Sequence, residues 1–348
     1  MGRALLTAET VPGYLRERQV AGAQDGGQVR VLDLSRRNHN LVVEIDGRPR
    51  WFVKQIQYAT AEVVESLRRE AHCYQTVERD ETLAPLAALM PRCADFNAAD
   101  SILVLEFLDG VNAADAHRRV GPFDARVARV AGELLGRLHG AAPLVVRSDV
   151  CDMLPGELPW VLRAHQGNDR AGGRARFLAL FENDAATARA LGGVRASWRR
   201  NVLIHGDARL ENFILCRPVN AEAEFEARLV DWELADLGDA AWDCANAMQH
   251  YWTHWAVLRA PWDDLAAALD AFRDAYATAR GLEAEACSDV FRRATLFTGA
   301  RLIQTAYEQV AGAGRWSAEA QRTAWLARLL VVEPGRALEG LEHVHHAA

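Results

Sequence analysis

Val202-Leu203-Ile204-His205-Gly206-Asp207-Ala208-Arg209-Leu210-Glu211-Asn212-Phe213-Ile214-Leu215 is the stretch on which the reading of this chain turns. Apolar runs at 202–204 and 213–215 flank a polar segment, a pattern that predicts strand, short loop, strand. A polar loop between two buried strands is a rigid mount, and its side chains hold fixed positions. Asp207 and Asn212 stand in it as Asp-x4-Asn. A third apolar run, Arg228-Leu229-Val230, leads to Asp231, with Glu233 two residues on. A carboxylate, an amide and a second carboxylate in this order can orient a hydroxyl and hold Mg2+.

Composition bounds the rest. The 348 residues suffice for two domains or one large two-lobed unit. Half are apolar and a quarter charged, a globular mixture. No run approaches about 18 apolar residues, so no membrane span is expected, and the first 19 residues lack the separate charged and apolar regions of a signal peptide. The net charge of −7 argues against a general nucleic-acid binder. The 6 cysteines are widely spaced without C-x-x-C, which points to free thiols in a reducing cytoplasm. Of 40 basic residues only Lys54 is lysine. Bias towards arginine explains the others; a site that needs a compact ammonium explains the exception.

The first lobe is read as residues 1–107. A short helix over 7–20 with Thr7 as its cap precedes a turn at Gln24-Asp25-Gly26-Gly27. Strands follow at Val29 to Leu34, Leu41 to Ile45 and Trp51 to Ile56, the last two joined by an Asp46-Gly47-Arg48-Pro49 turn. Ala61 to Val77 is periodic as a helix with Glu70 beside its apolar face. Pro85 to Cys93 reads as loop or short helix, and Ser101 to Glu106 as a buried strand. The second lobe, 108–348, is mainly helical: 124–139, then a less regular insert over 143–200 with helices near 157–166 and 174–191, and after Asp231 helices at 240–255, 262–280, 284–298, 299–312 and 317–332. The class is α+β, an antiparallel sheet with one main helix followed by a larger helical lobe.

Phosphoryl transfer needs groups that hold a polyphosphate, carry Mg2+ and present the acceptor hydroxyl in line; positioning and electrostatics supply most of the rate. Asp207 suits the orienting role and Asn212 a metal ligand through its amide oxygen. Asp231 suits the anionic metal ligand, and Glu233 a second metal or a water. Lys54, mid-strand, would reach the α- and β-phosphates, with Glu70 fixing its direction. A lone carboxylate is usually a solvated or capping group, but the ordered set is specific: lysine on the third strand, glutamate on the next helix, Asp-x4-Asn on a loop, Asp after an apolar strand.

On these residues, together with Leu229-Val230-Asp231-Trp232-Glu233 and Gly238-Asp239-Ala240-Ala241-Trp242-Asp243, the chain resembles the aminoglycoside phosphotransferase and choline kinase family over about 30 to 310. The resemblance implies a bilobal protein-kinase-like fold using ATP or GTP with Mg2+. It makes Asp207 the catalytic aspartate, Asn212 and Asp231 metal ligands and Lys54 the phosphate-binding lysine. Glu106-Phe107-Leu108 takes the place of the hinge whose backbone meets the base. Ser35-Arg36-Arg37-Asn38-His39-Asn40 takes the place of the nucleotide loop. That loop has no glycine, so its backbone is less free to approach phosphate, and Ser35, Arg37 and Asn38 are expected to share the work; the bland alternative is a solvated hairpin tip. His205 is read as a buried structural histidine, and Asp243 as a brace for the loop or a helix cap. Arg209 would touch acceptor or γ-phosphate, or else pair with Glu211 at the surface. The tryptophans at 232, 242, 252, 255 and 262 read as helix packing, and His343-Val344-His345-His346 as a frayed tail.

The fold does not choose the acceptor. Arg170, Arg174 and Arg176 in the insert argue against a polycation and for a neutral or anionic one. Three functions are weighed. The first is an O-kinase of small molecules. The second is a peptide Ser/Thr kinase of the kind that phosphorylates precursor peptides in ribosomal, lanthipeptide-like pathways, with a partner lyase. The third is a non-catalytic nucleotide-binding pseudokinase, disfavoured by the intact Lys54, Asp207, Asn212 and Asp231.

Overall fold

β1 (Val29–Asp33), β2 (His39–Ile45) and β3 (Arg48–Gln55) form an antiparallel meander, continued by β4 (Cys93–Asn97) and β5 (Ile102–Glu106) into a five-stranded sheet of order β1-β2-β3-β5-β4. These coordinates are a computed structural model that describes residues 5–20, 22, 27–35, 38–141, 154–163, 173–216 and 226–335. Arg37, Cys151, Arg170, His343 to His346, 24–26 of the expected turn and 164–166 of the expected helix lie outside the described residues.

The chain divides into two compact units. One is Met1–Val111 with Leu144–Leu154 and Ile214–Ala235; the other is Asn112–Pro143 with Pro155–Phe213 and Asp236–Ala348. This interleaved division stands in place of the single boundary expected at 107. The segment carrying Asp231 belongs with Lys54, and the loop from His205 to Asn212 belongs with the helices.

In the first unit, alternation along β3 sets two faces. Trp51 and Val53 join Val11 and Leu15 of α1 (Val11–Glu17), Leu41, Val43, Ile102 and Val104 in one apolar cluster. Residues of the other parity, Lys54 among them, therefore take the opposite face. There α2 (Ala61–Arg79) buries Leu67, Glu70, Ala71 and Tyr74, and its N-terminus is capped by the Thr60 side chain at 3.3 Å from the Val63 nitrogen. The β2–β3 turn is only Asp46-Gly47, with φ of 52° and 74°. Both central residues in the left-handed region make the tight hairpin turn whose twist matches the strands. Arg48 and Pro49, expected in the turn, already pair with Ile45 and Glu44. The expected loop before β5 contains the short α3 (Ala84–Ala87), and Cys93 opens strand β4.

In the second unit, α4 (Ala113–Val120) and α5 (Ala125–Gly140) precede α6 (Gly173–Glu182) and α7 (Ala185–Ala196). The latter two were expected as one helix over 174–191. Asp184 interrupts it by capping α7 through its hydrogen bond from the Thr187 nitrogen at 3.2 Å. Of the helix expected near 157–166, the described part is a single 3-10 turn, Trp160–Leu162. Then come α8 (Ala240–Leu258), α9 (Trp262–Arg280), α10 (Ala284–Ala313) and α11 (Ala318–Val332). α10 is one helix where two were expected. A methyl on Gly299 would lie 2.6 Å from Val331 Cγ2 and 2.9 Å from the Ala327 oxygen, so this glycine marks a close helix approach and not a break. Trp232, Trp242, Trp252 and Trp255 are buried, and Trp262 packs edge-on against Trp255, as the packing role requires. Among the described residues no helix is long and apolar enough to cross a membrane, and Cys73, Cys93, Cys216, Cys244 and Cys287 are free thiols.

Candidate active site

Lys54 anchors a charged cluster in the first unit. It stands opposite Asn40 on β2 and Leu103 on β5 and is 5 % exposed. Its Nζ donates to Glu70 Oε2 at 2.8 Å and to Asp231 Oδ1 at 2.5 Å, with Glu233 Oε2 at 3.6 Å. Glu70, 1 % exposed, also accepts from the Tyr74 hydroxyl at 3.4 Å. Burial alone would lower the Lys54 pKa; Glu70, Asp231 and Glu233 outweigh it and hold the ammonium above the ordinary lysine value. Burial likewise pushes the Glu70 carboxyl up, to about 7, against the pull of Lys54. Asp231 sits at φ 69°, ψ 56°, in the left-handed region, which aspartate tolerates at some strain. Glu233 is tethered to α2, its carbonyl accepting from Arg69 Nη1 at 3.1 Å and its carboxylate from Ser66 Oγ at 3.3 Å.

The donor set fits a hard divalent cation. Glu70, Asp231 and Glu233 offer carboxylate oxygens all within 4.8 Å of one another, and oxygen ligands of this kind suit Mg2+. Asp231 and Glu233 have side chains 39 % and 33 % exposed, whereas Glu70 is enclosed with Lys54.

Of the other first-unit residues expected at the nucleotide, Ser35, Glu106 and Phe107 make hydrogen bonds within that unit. Ser35 Oγ lies 2.9 Å from His39 Nδ1 and accepts from the Asn40 nitrogen at 3.2 Å, while its own N–H donates to Asp33 Oδ1 at 2.8 Å. Ser35 is thereby committed to the β1–β2 connection. Asn38 follows in a bend. The Glu106 carboxylate pairs with Arg228 at 3.0 Å and accepts from the Arg92 nitrogen at 3.2 Å. The Glu106 N–H donates to the Arg92 oxygen and that of Phe107 to the Arg50 oxygen. Two of the three expected hinge N–H groups are therefore occupied, and the third belongs to Leu108.

In the second unit, the buried strand Val202–Ile204 pairs antiparallel with Asp236–Gly238 and delivers the loop. Gly206 takes φ 80°, which only glycine adopts without strain. Asp243 on α8, fully buried, accepts from the backbone nitrogens of His205 at 2.7 Å and Gly206 at 2.9 Å, and lies 3.2 Å from His139 Nε2. Of its two expected roles it takes the brace. Asp239 takes the cap, accepting from the Ala241 nitrogen at 3.0 Å while pairing in bidentate fashion with Arg293. His205 is fully buried, and its Nδ1 accepts from the Asp207 nitrogen at 3.3 Å, a loop-bracing contact. The Asn212 Nδ2 donates to the Asp207 carbonyl at 2.8 Å, which turns its Oδ1 away as the available ligand atom.

Asp207 itself, its side chain 15 % exposed, meets two guanidiniums. Arg209 reaches Oδ2 from Nε at 3.1 Å and Nη2 at 2.9 Å, so its partner is Asp207 and not the expected Glu211. Arg301 of α10 places Nη2 3.7 Å from Oδ1. Glu308, about two turns further along the same face of α10, lies 3.7 Å from both Arg209 and Arg301. Sequence reading missed Arg301, Glu308 and Asn246. The available signal was an arginine inside the apolar run Gly299-Ala300-Arg301-Leu302-Ile303. Arg174, expected at the acceptor, lies over the Trp160 ring at 5.7 Å, and Arg176 is exposed.

An antiparallel sheet with one long helix, a larger helical unit, and carboxylates around one lysine and on one braced loop define a protein-kinase-like phosphotransferase. The chain belongs to the phosphotransferase enzyme family, whose model matches residues 28–290. Among solved structures it is similar to an ethanolamine kinase of Plasmodium vivax, at 15 % identity and TM-score 0.58 over 94 % of this chain and 89 % of that one. It is also similar to a macrolide 2'-phosphotransferase of Brachybacterium faecium, at 17 % and 0.51 over 94 % and 98 %. A third is a putative fructosamine-3-kinase of Thermobifida fusca, at 20 % and 0.52 over 92 % and 99 %. No curated protein matches the sequence.

Proposed function

We propose that this phosphotransferase moves the γ-phosphoryl group of ATP or GTP to a hydroxyl of a small molecule. The observation that carries the reading is the single lysine of the chain, Lys54, buried against Glu70 and Asp231 in a phosphotransferase-family sequence. A compact ammonium pointed by a buried carboxylate suits the α- and β-phosphates. Asp231, with Glu233 and the Asn212 amide oxygen, would hold Mg2+, which neutralises phosphate charge when bound. Asp207 orients the acceptor hydroxyl and takes its proton late in the transfer, so a strong base is not needed. Arg209 leaves Asp207 Oδ2 for the phosphoryl oxygens as the hydroxyl arrives. Leu108 offers its N–H to the base.

The names of the similar structures are those of kinases and phosphotransferases of small molecules. That favours a small acceptor over a precursor peptide with a partner lyase. The complete set Lys54, Asp207, Asn212 and Asp231 favours an active enzyme over a pseudokinase. Free thiols fit a cytoplasmic setting. The test is label transfer from γ-32P-ATP and γ-32P-GTP with Mg2+ to a panel of amino alcohols, ketosamines, macrolides, aminoglycosides and a serine-rich peptide. A labelled small-molecule alcohol is expected; label on the peptide alone would overturn the small-molecule reading.

A further inference from the structure

Arg301 is buried in the middle of α10, 1 % exposed, between the fully buried Ala300 and Leu302. A guanidinium in such a place is unfavourable unless its charge and donors are matched. Its fixed partners are neutral. Nε donates to Asn246 Oδ1 at 2.8 Å and Nη1 to Thr305 Oγ1 at 3.0 Å, and that hydroxyl donates to Gln249 Oε1 at 2.6 Å. The nearest carboxylate oxygens, Asp207 Oδ1 and Glu308 Oε1, both stand 3.7 Å away, outside hydrogen-bond distance. An amide and a hydroxyl thus fix the fork, and its charge is presented to Asp207 from Nη2 and to Glu308 from Nη1.

The contacts close on themselves. Trp242 Nε1 donates to the Gly206 carbonyl at 3.0 Å, and the Trp242 carbonyl accepts from Asn246 Nδ2 at 2.9 Å. Asn246 Oδ1 then accepts from Arg301, and Arg301 faces Asp207, the residue after Gly206. Both ends of this circuit lie on adjacent residues of one loop. The two arginines on Asp207 differ in freedom. The Arg209 side chain is 38 % exposed and has a second carboxylate, Glu308, 3.7 Å from its Nη1. Arg301 is enclosed and held at two nitrogens.

We infer that Arg301 is a positioning residue for the transfer. Anchored by Asn246, it fixes the Oδ1 edge of Asp207, so Oδ2 stays aimed at the acceptor hydroxyl when Arg209 departs. This rests on the reading of Asp207 as the hydroxyl-orienting residue. The rigid fork is essential, because a lysine ammonium cannot bond the Asn246 amide and face Asp207 in the same fixed geometry.

The experiment compares wild type, Arg301→Lys, Asn246→Ala, the double variant and Asp207→Asn, with ethanolamine as acceptor, or whichever panel alcohol takes label faster. Thermal midpoints are read alongside kcat and the KM for Mg·ATP. Arg301→Lys should lose roughly 100-fold in kcat while the KM for Mg·ATP stays within about twofold. Asn246→Ala should lose less, and adding it to Arg301→Lys should change kcat little, because both act through one contact. Wild-type kcat in Arg301→Lys, or independent additive losses, would overturn the inference. Should Arg301→Lys fail to fold, wild-type kcat in Asn246→Ala would overturn it. Retained turnover in Asp207→Asn would instead overturn the reading of Asp207.

Discussion

The Asp243 carboxylate accepts the His205 backbone N–H at 2.7 Å, and this one contact ties α8 to the start of the Asp207 loop. A second bond, from the Gly206 nitrogen at 2.9 Å, fixes the next peptide. Asp243→Ala would leave the buried His205 N–H, the partly buried Gly206 N–H and His139 without this acceptor. Its expected destabilisation is about 2–5 kcal/mol, read from urea unfolding. Asp243→Asn keeps the shape and one acceptor, so it should fold with smaller loss but reduced kcat. Wild-type stability in Asp243→Ala would contradict the bracing role.

Lys54 sits within reach of three carboxylates, Glu70, Asp231 and Glu233. A planar guanidinium cannot fill the place of the ammonium among them. Lys54→Arg should therefore weaken Mg·ATP binding by at least about tenfold despite the kept charge, measured by calorimetry. Nucleotide affinity and kcat at wild-type values would remove Lys54 from the phosphate role.

His250 titrates far from the ordinary histidine range. Burial, then the neighbouring His254 and His117, lowers it from 6.5 to about 2. Its Nε2 is buried without a hydrogen-bond partner among the described residues. Below pH 6.5 the unfolded chain binds a proton there that the native state refuses, so native stability is full above 6.5 and falls as pH drops towards 2. The slope from this group is up to about 1.4 kcal/mol per pH unit. His250→Phe should flatten the fall in urea midpoint between about pH 6 and 4. His117 and His139, also lowered mainly by burial, leave a residual slope. An unchanged profile in the variant would contradict the assignment.

Two glycines should respond to alanine with opposite sign. A methyl on Gly132 of α5 would overlap the Phe272 carbonyl of α9, whereas one on Gly192 of α7 meets nothing within 4 Å. Gly132→Ala is expected to destabilise by about 1–3 kcal/mol or more. Gly192→Ala should stabilise by about 0.5–1 kcal/mol. Denaturant midpoints of the two variants check both signs.

Local signals carried much of the fold. The alternation of β3 and the Asp46-Gly47 turn were legible because strand period and turn chemistry are written in adjacent residues. β4 escaped because Cys93 to Asn97 is half-buried throughout, without an apolar alternation to read. The eight-residue α4, with Arg118 and Arg119 in its last turn, has too little apolar stripe to stand out. The helices expected at 284–298 and 299–312 are one because Gly299 lies where Val331 packs against it, a contact no local signal reveals. The site divides the same way. Lys54, Glu70, Asp207, Asn212 and Asp231 have characteristic types at characteristic spacings. Arg301 and Asn246 gain meaning only when α8 and α10 pack, and no periodicity encodes that pairing.

The most direct test of the account is Asp207→Asn, assayed for γ-phosphate transfer to the panel alcohol and, by calorimetry, for Mg·ATP binding. The amide keeps the shape of the carboxylate but loses its charge and its capacity to accept the hydroxyl proton. Transfer should fall by at least about 100-fold with nucleotide affinity within about twofold of wild type. Transfer at close to the wild-type rate would contradict the assignment of Asp207 as the residue that orients the acceptor.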